Sequence, residues 1–336
     1  MGHQWRHFYA LSKGGLLMND STLTVRVARR TLAAKDIVVL DLEPAGTERL
    51  PMFEAGAHID LHLPGGLVRQ YSLCSDPMES GLYRIGILRD PNSRGGSVTV
   101  HEQLLPGSEI TISTPRNLFP LAAGGGKSYL FGGGIGITPM IAMAYSLHHA
   151  KLAFELHYCG RSPEHMAFLD ELGAAPFADK VFTHCDQVEP PAPANIATLL
   201  GGAADDSHVY VCGPKGFMDW VMDAARTMGF SQERIHHEYF QAEMELGGTS
   251  FEVVAAASGK EVAVGPNESI AQALTRIGIR VQMSCEQGVC GTCMCTVLEG
   301  IPEHRDSYQT DEEKAENDQI AVCCSRSLTP RLILDI

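Results

Sequence analysis

The sequence predicts a multidomain chain in which an antiparallel β-barrel, an α/β domain with a parallel sheet and a small α+β domain follow one another. Three observations carry this. Short β-branched runs punctuated by Pro and Gly turns fill the stretch from Thr22 to Thr114. Strands then alternate with helical stretches as far as Phe240. Strands resume after a linker-like segment, beside a loop that holds Cys285, Cys290, Cys293 and Cys295. Closely spaced short strands with turn signals read as a barrel or sandwich, whereas strand–helix alternation calls for a parallel sheet covered on both faces.

Taken in order, residues 1–17 show no periodicity and are expected to be a disordered extension outside the fold. Residues 18–121 carry the barrel strands "LTVRVARRT", "DIVVLDLEP", "AHIDLHLP", "QYSLCSD", "YRIGILRD" and "SEITIST", with one helix expected after "RGGS", from about Val98 to Leu105. Residues 122–240 hold the α/β pattern. "KSYLFGGGIGITPMIAMAYSL" reads as strand, glycine turn and helix, and "AFELHYCGRSP", "KVFTHCD" and "HVYVCGP" read as further apolar strands. Between them "PEHMAFLDEL" and "GFMDWVMDAARTMG" read as helices. Residues 241–249 form the linker, and 250–336 the last domain. There "SFEVVAAASGKEVAVGP" reads as a hairpin turning at Ser258-Gly259, and "ESIAQALTRIG" as an amphipathic helix with Ile270, Ala273, Leu274 and Ile277 on one face.

Composition narrows the function. The 336 residues give room for two or three domains, and 26 basic against 40 acidic side chains leave a formal charge of −14. That balance argues against nucleic acid and anionic membrane surfaces, which reward basic patches, and suits a basic protein partner or plain solubility. No run reaches the ~18 apolar residues of a membrane span. The longest uncharged run, from Phe131 to Leu147, contains Pro139 and reads as a loop entering a buried helix. The N-terminus lacks the apolar core of a signal peptide, and the ten cysteines, none before Cys74, form no regular disulfide framework. A cytoplasmic location and a monomeric state are expected.

The cysteine loop carries the most specific chemistry. Cys285-x4-Cys290-x2-Cys293 has the ligand spacing of a plant-type [2Fe–2S] cluster, whose fourth cysteine lies further along; "AVCCSR" offers Cys323 or Cys324. Thiolates suit such clusters as soft anionic donors, and Gly288, Gly291 and Thr292 let backbone N–H groups point at the sulfurs. Structural zinc favours two C-x2-C-like pairs, which the x4 spacing fits poorly. Cys295 alternates with Cys293 and is expected to be a buried structural thiol.

From Cys285 through "GIPEHRDSYQTDEEKAENDQIAVCCSRSLTPRLILDI" the chain resembles the ferredoxin domain of the phthalate dioxygenase reductase and vanillate demethylase reductase family. The resemblance extends from about Ser21 onward with the same domain order, and implies a flavin barrel, an NAD domain and a β-grasp ferredoxin domain. The family's spacing of 29 residues between the third and fourth ligands lands on Cys323. The implied metal ligands are therefore Cys285, Cys290, Cys293 and Cys323. "RQYSL" matches the family's flavin motif R-x-Y-[ST]: Arg69 would neutralise a phosphate, Tyr71 line the isoalloxazine and Ser72 approach its N5. Gly95, Gly96 and Ser97 would offer N–H groups to the phosphate at a helix start, with the backbone of Gly86, Ile87 and Leu88 lining the ring. The flavin implied is FMN.

"GGGIGITPM" implies NAD pyrophosphate binding by the segment of Gly132, Gly133, Gly134, Gly136, Thr138 and Pro139, with Thr138 near the nicotinamide. "CGP", residues Cys212, Gly213 and Pro214, matches the nicotinamide-side motif, and "HHEYF" places the flavin-packing phenylalanine at Phe240. Arg161 stands where the adenine ribose is usually read, and the family precedent favours NADH. Together these imply an NADH-dependent reductase component for a Rieske-type aromatic oxygenase, with FMN and [2Fe–2S] relaying electrons and no side chain required as acid or base. A general flavin reductase or diaphorase, or a non-enzymatic iron–sulfur carrier, are the rival readings. Between the third and fourth ligands, Glu299 to Asp318 carry eight acidic residues against Arg305 and Lys314, and are expected to lie near the cluster and face a basic partner.

Overall fold

The computed structural model describes residues 22–79, 81–91, 93, 95–187, 194–240 and 247–336. The expected extension over 1–17, and 241–246 of the expected linker, lie outside the described residues.

The first unit contains β1 (Thr22–Ala34), β2 (Ile37–Pro44), β3 (Ala57–Leu63), β4 (Leu67–Ser72), β5 (Tyr83–Leu88), α1 (Gly96–Gln103), β6 (Glu109–Ser113) and β7 (Arg116–Asn117). The sheet runs β4-β3-β6-β1-β2-β5, all antiparallel, with β7 also paired to β3. An antiparallel bridge between Leu73 and Ile85 joins the two ends, so the sheet closes on itself. Register shifts along β1 at Val27/Arg29 and Leu32/Ala34 supply the curl that closure needs. Along β3 the alternation is imperfect. Ile59, Leu61 and Leu63 fill the barrel, yet His58 and Asp60 on the opposite parity are buried as well, and only His62 is exposed. Something covers the outside of that strand.

The second unit contains β8 (Ser128–Gly133), α2 (Ile137–His149), β9 (Phe154–Gly160), α3 (Leu169–Ala174), β10 (Val181–Cys185), α4 (Ile196–Leu199), β11 (His208–Cys212), α5 (Lys215–Thr227) and β12 (Ile235–Glu238). All five strands are parallel in the order β10-β9-β8-β11-β12, and the order reverses beside β8. Ligands bind at such a reversal, outside the strands' carboxyl ends. Two elements differ from the sequence reading. β12 was not expected, because "IHHE" has little apolar content and needs little at a sheet edge. "PEHMAFLDEL" is not one helix: a 3-10 turn at Pro163–His165 and α3 are separated at Phe168, which is left-handed (φ 66°). The break turns the Phe168 ring inward, where a Cβ on Gly86 of the barrel would meet it at 3.1 Å.

The third unit contains β13 (Phe251–Ala255), β14 (Lys260–Val264), α6 (Ile270–Arg276), β15 (Met294–Glu299), β16 (Pro302–Glu303), α7 (Asp311–Glu316), β17 (Gln319–Ala321), β18 (Arg326–Ser327) and β19 (Arg331–Leu334). Its mixed sheet has the order β14-β13-β19-β15-β17, in which β13 and β19 are parallel. A capping box of Ser269 and Gln272 starts α6, whose Ile270, Ala273 and Leu274 are buried. The barrel and one face of the parallel sheet share one hydrophobic core, the other face of that sheet packs a second, and the third unit has its own. The third unit meets the barrel through polar contacts. Ser284 Oγ donates to Asp60 Oδ1 at 2.8 Å, and Arg69 pairs with Glu286 at 3.6 Å.

Candidate functional site

A cavity of about 1020 Å³ opens where the three units meet. Its wall takes Arg69, Tyr71, Ser72, Gly86, Leu88 and Ser97 from the barrel, Thr138, Glu238 and Phe240 from the parallel-sheet unit, and Cys285, Gln287 and Val289 from the cysteine loop. Thus residues that the sequence assigns to a flavin, a nicotinamide and a cluster border one space. The Ile87 side chain points into the barrel core instead, fully buried, so only its backbone can serve the site.

At one end the local structure fits a phosphate. α1 starts at Gly95, which is left-handed (φ 93°) and, as a glycine, offers no side-chain cap to the first N–H groups. Those orphan donors favour an anion. Gly96 is required here because a Cβ would collide with the Arg69 side chain, whose guanidinium is mostly buried. The Ser97 hydroxyl accepts from the Asp90 N–H at 3.1 Å, which fixes the turn before the helix. A cation, a free helix start and a cavity of this size are what a flavin mononucleotide requires.

The middle of the cavity is tighter. A Cβ on Gly86 would stand 3.0 Å from Thr138 Cγ2, so the glycine lets the two units close together. Thr138 is buried and donates to the Ile135 carbonyl at 3.0 Å, which leaves its methyl toward the barrel. The Ser72 hydroxyl donates to Glu238 Oε2 at 3.1 Å across the same junction. Burial pushes the Glu238 carboxyl up to about 7, against the lowering effect of that hydrogen bond.

The glycine motifs of the parallel-sheet unit pack on one another at the carboxyl ends of β8 and β11. A Cβ on Gly136 would overlap the Cys212 carbonyl, and one on Gly213 would stand 3.0 Å from Gly133 Cα. Gly132 is likewise blocked by the Ile137 backbone, and Gly134 adopts φ 55°. Pro139 is buried in the first turn of α2, and Pro214 is the N-cap of α5. Cys212 is fully buried and does not line the cavity; burial raises its thiol well above the ordinary range. Arg161, at the end of β9, is exposed and also apart from the cavity lining.

The four cysteines of the cluster motif are buried and couple two by two. Cys285 and Cys290 share one hydrogen bond, which draws Cys290 down to about 5 and raises Cys285. Cys323 is raised, first by its hydrogen bond to Cys293 and then by one to Cys324. Among the described residues no three His, Cys, Asp or Glu side chains gather tightly enough for a single metal ion. Two pairs are what two irons with two thiolates each would use, so this donor set fits a [2Fe–2S] cluster better than one zinc. Gly288 (φ 75°) and Gly291 (φ 70°) are left-handed, and a Cβ on Gly291 would enter the Tyr308 ring. Cys295 is buried and pushed up to about 12 by that burial.

Val322 to Cys324 form a turn rather than an extended segment, with Cys324 and Ser325 N–H groups both directed at the Ala321 carbonyl. Neighbouring side chains there are not opposed. What separates them is contact: Cys323 reaches Cys293 and is 4 % exposed, whereas Cys324 is half-buried with its sulfur 3.8 Å from Ser325 Oγ.

The acidic run is also more divided than its sequence. Asp306 is buried and accepts from the Gln309 N–H at 2.9 Å, and Glu303 pairs with Arg305 at 2.6 Å. The charges left at the cavity mouth are those of α7, where Asp311 and Glu312 line the opening. Sequence reasoning missed His58, the role of Glu238, and Gln309 on this wall. The signal for His58 was its setting: a strand position that reads as solvent-facing until another unit covers it.

Comparison with known proteins agrees with this layout. Residues 254–328 match the family model of the 2Fe-2S iron-sulfur cluster binding domain. The chain is 47 % identical over 316 residues to the vanillate O-demethylase oxidoreductase of Pseudomonas sp. (strain HR199), covering 94 % of this chain and 100 % of that protein. It is 40 % identical to the tetrachlorobenzoquinone reductase of Sphingobium chlorophenolicum, over 94 % of this chain and 98 % of that one. The solved structure of phthalate dioxygenase reductase, described as modular for electron transfer from pyridine nucleotides to [2Fe–2S], superposes with a TM-score of 0.75 at 36 % identity. That superposition covers 94 % of this chain and 98 % of that one. No helix among the described residues is long and apolar enough to cross a membrane.

Proposed function

This chain belongs to the phthalate dioxygenase reductase and vanillate demethylase reductase family, and from that premise we propose how its residues serve the reaction and which oxygenase it supplies. It is an NADH-dependent oxidoreductase, the reductase component of an oxygenase system with FMN and a [2Fe–2S] cluster. When bound in the cavity, FMN would supply the conversion between two-electron hydride chemistry with NADH and one-electron transfer toward the cluster and the oxygenase.

The residues hold, orient and exclude. Arg69 and the uncapped start of α1 hold the FMN phosphate, and the remaining wall of the cavity encloses the ring, with Phe240 closing it from the nicotinamide side. Thr138 and the mutually packed loops of Gly132 to Gly136 and Cys212 to Pro214 seat the dinucleotide beside it. Cys285, Cys290, Cys293 and Cys323 hold the cluster. No side chain is assigned as an acid or base. The observation that carries the reading is that the cysteine loop and the flavin motif border the same cavity, so a relay needs no domain rearrangement.

The partner is a Rieske-type terminal oxygenase acting on an aromatic ether of the vanillate kind. Support comes from the 47 % identity to a vanillate O-demethylase oxidoreductase over its whole length, against 36 % to phthalate dioxygenase reductase. The similarity to a tetrachlorobenzoquinone reductase favours a second reading, direct delivery of electrons to a quinone. One experiment separates them. Anaerobic NADH should bleach flavin and cluster bands together, and once a vanillate-type oxygenase, its substrate and dioxygen are added, the reduced protein should be reoxidised with O-demethylation of that substrate. Reoxidation by a free quinone alone, with no transfer to the oxygenase, would give the second reading; no bleaching by NADH would remove both.

A further inference from the structure

His58 lies on β3 directly across from Ser72 of β4 and from Arg116 of β7. It has the outward parity of that strand, where His62 is exposed, yet it is 1 % exposed and borders the cavity. Both ring nitrogens are buried and have no hydrogen-bond partner among the described residues. Its register neighbours are committed elsewhere. Arg116 pairs with Asp60, which also accepts from Ser284, and the Ser72 hydroxyl donates to Glu238. Burial, then the Arg116 charge, hold the imidazole down to about 3, so it is neutral and offers one N–H donor and one lone pair.

Buried polar groups in folded proteins are paired with very few exceptions, and a ring with two unpaired nitrogens at the wall of a large cavity implies a partner inside it. An aliphatic residue would fill this place without leaving a donor unpaired. We propose that His58 is a flavin-ligating residue: its neutral imidazole hydrogen-bonds a polar atom of the flavin in the adjoining cavity. The proposal rests on the reading that this cavity holds FMN. A flavin suits the ring chemically, because its heterocycle carries carbonyl and nitrogen acceptors together with an N–H donor, so either imidazole nitrogen finds a complement. The neutral state matters as well, since both the donor and the acceptor are retained across the physiological range.

The test uses the full chain, stripped of flavin and titrated with FMN by fluorescence quenching, with the cluster's visible absorption recorded as a check on folding. His58→Phe keeps an aromatic ring and removes both nitrogens. It is expected to weaken FMN binding about tenfold or more, the loss of roughly one hydrogen bond at 1.4 kcal/mol per tenfold, with the cluster spectrum unchanged. His58→Asn and His58→Gln each place an amide near one of the two nitrogens, and one of them is expected to recover most of the affinity. An unchanged FMN constant in a folded His58→Phe overturns the proposal. If that variant loses its cluster, the two amides decide. A change in FMN constant or in the flavin absorption band of either one supports the contact, and wild-type values of both in both variants overturn it. Failure of the wild-type chain to bind FMN would instead remove the reading of the cavity.

Discussion

The cysteine loop and the flavin cavity border each other, yet they are built in opposite ways. Three of the four proposed cluster ligands lie within nine residues, and the fourth returns on a turn after β17. Their spacing is a local property of the chain, because a loop that must wrap a cluster fixes how many residues separate the sulfurs. The cavity is signalled only in pieces, by the separate short motifs "RQYSL", "RGGS" and "HHEYF", none of which fixes the space between them. Its wall is drawn from β3, β4, β5, α1, the start of α2, β12 and the cysteine loop, and it exists only once three units have docked. A site defined by ligand spacing is legible in sequence, whereas a site defined by docking has to be seen.

The comparison is broken most sharply at the fourth cysteine. Cys323→Ser is expected to lose or alter the cluster's visible spectrum, because the Cys293 partner would be left without its mate at that iron. Cys324→Ser is expected to preserve it. The two residues are adjacent and share a turn, so sequence position alone cannot separate them. If Cys324→Ser were the variant that lost the spectrum, contact between sulfurs would be the wrong guide to ligation here.

The same contrast explains what the sequence made visible. The parallel sheet, the barrel strands and the ferredoxin-like unit follow from periodicity and turn residues, which act over a few positions. The break at Phe168 does not, because it serves contact with Gly86 in another unit. His58 and Asp60 occupy the polar positions of an alternating strand and so resemble a solvent face; their burial comes from the cavity and from Ser284. β12 was hidden for a related reason, since an edge strand needs few apolar residues.

Glu238 tests the docked side of the comparison. Its carboxyl is raised from 4.5 to about 7 by burial at the junction of barrel and parallel-sheet unit. A raised carboxyl means the folded state holds its proton more tightly than the unfolded state. Its contribution is therefore complete below about 4.5 and is lost as pH rises through 7. The shift corresponds to about 3 kcal/mol as an order of magnitude. Glu238→Gln, which cannot ionise, is expected to gain on the wild type by a sizeable part of that between pH 5 and pH 8. Urea midpoints of the flavin-stripped proteins at the two pH values check this. Parallel pH profiles would mean that the junction is hydrated and the carboxyl ordinary.

The smallest expected effect lies at the cavity mouth, where local and docked features meet. Sequence gives eight acidic residues between the third and fourth cysteines, but only part of that charge is available to a partner. Asp306 is buried, Glu303 is engaged by Arg305, and Glu313 caps α7 by accepting from the Thr310 N–H at 2.8 Å. Of the five that remain, Glu299 and Asp318 flank this stretch, and Asp311, Glu312 and Glu316 lie together on a helix with no buried residue. These three should steer a basic oxygenase surface toward the cluster side of the molecule. Steering by exposed charge acts on encounter and is screened over about 10 Å at 0.1 M salt. The triple variant Asp311→Asn, Glu312→Gln and Glu316→Gln is expected to slow low-salt electron transfer to the oxygenase by about two- to fivefold, in keeping with the modest worth of exposed charges. The deficit should shrink as salt is raised, while NADH-driven flavin reduction in the same protein stays unchanged. Equal slowing of both steps would point to damage within the cavity. Transfer to the oxygenase that ignores both salt and the substitutions would leave α7 as a solvated cover over the cysteine loop.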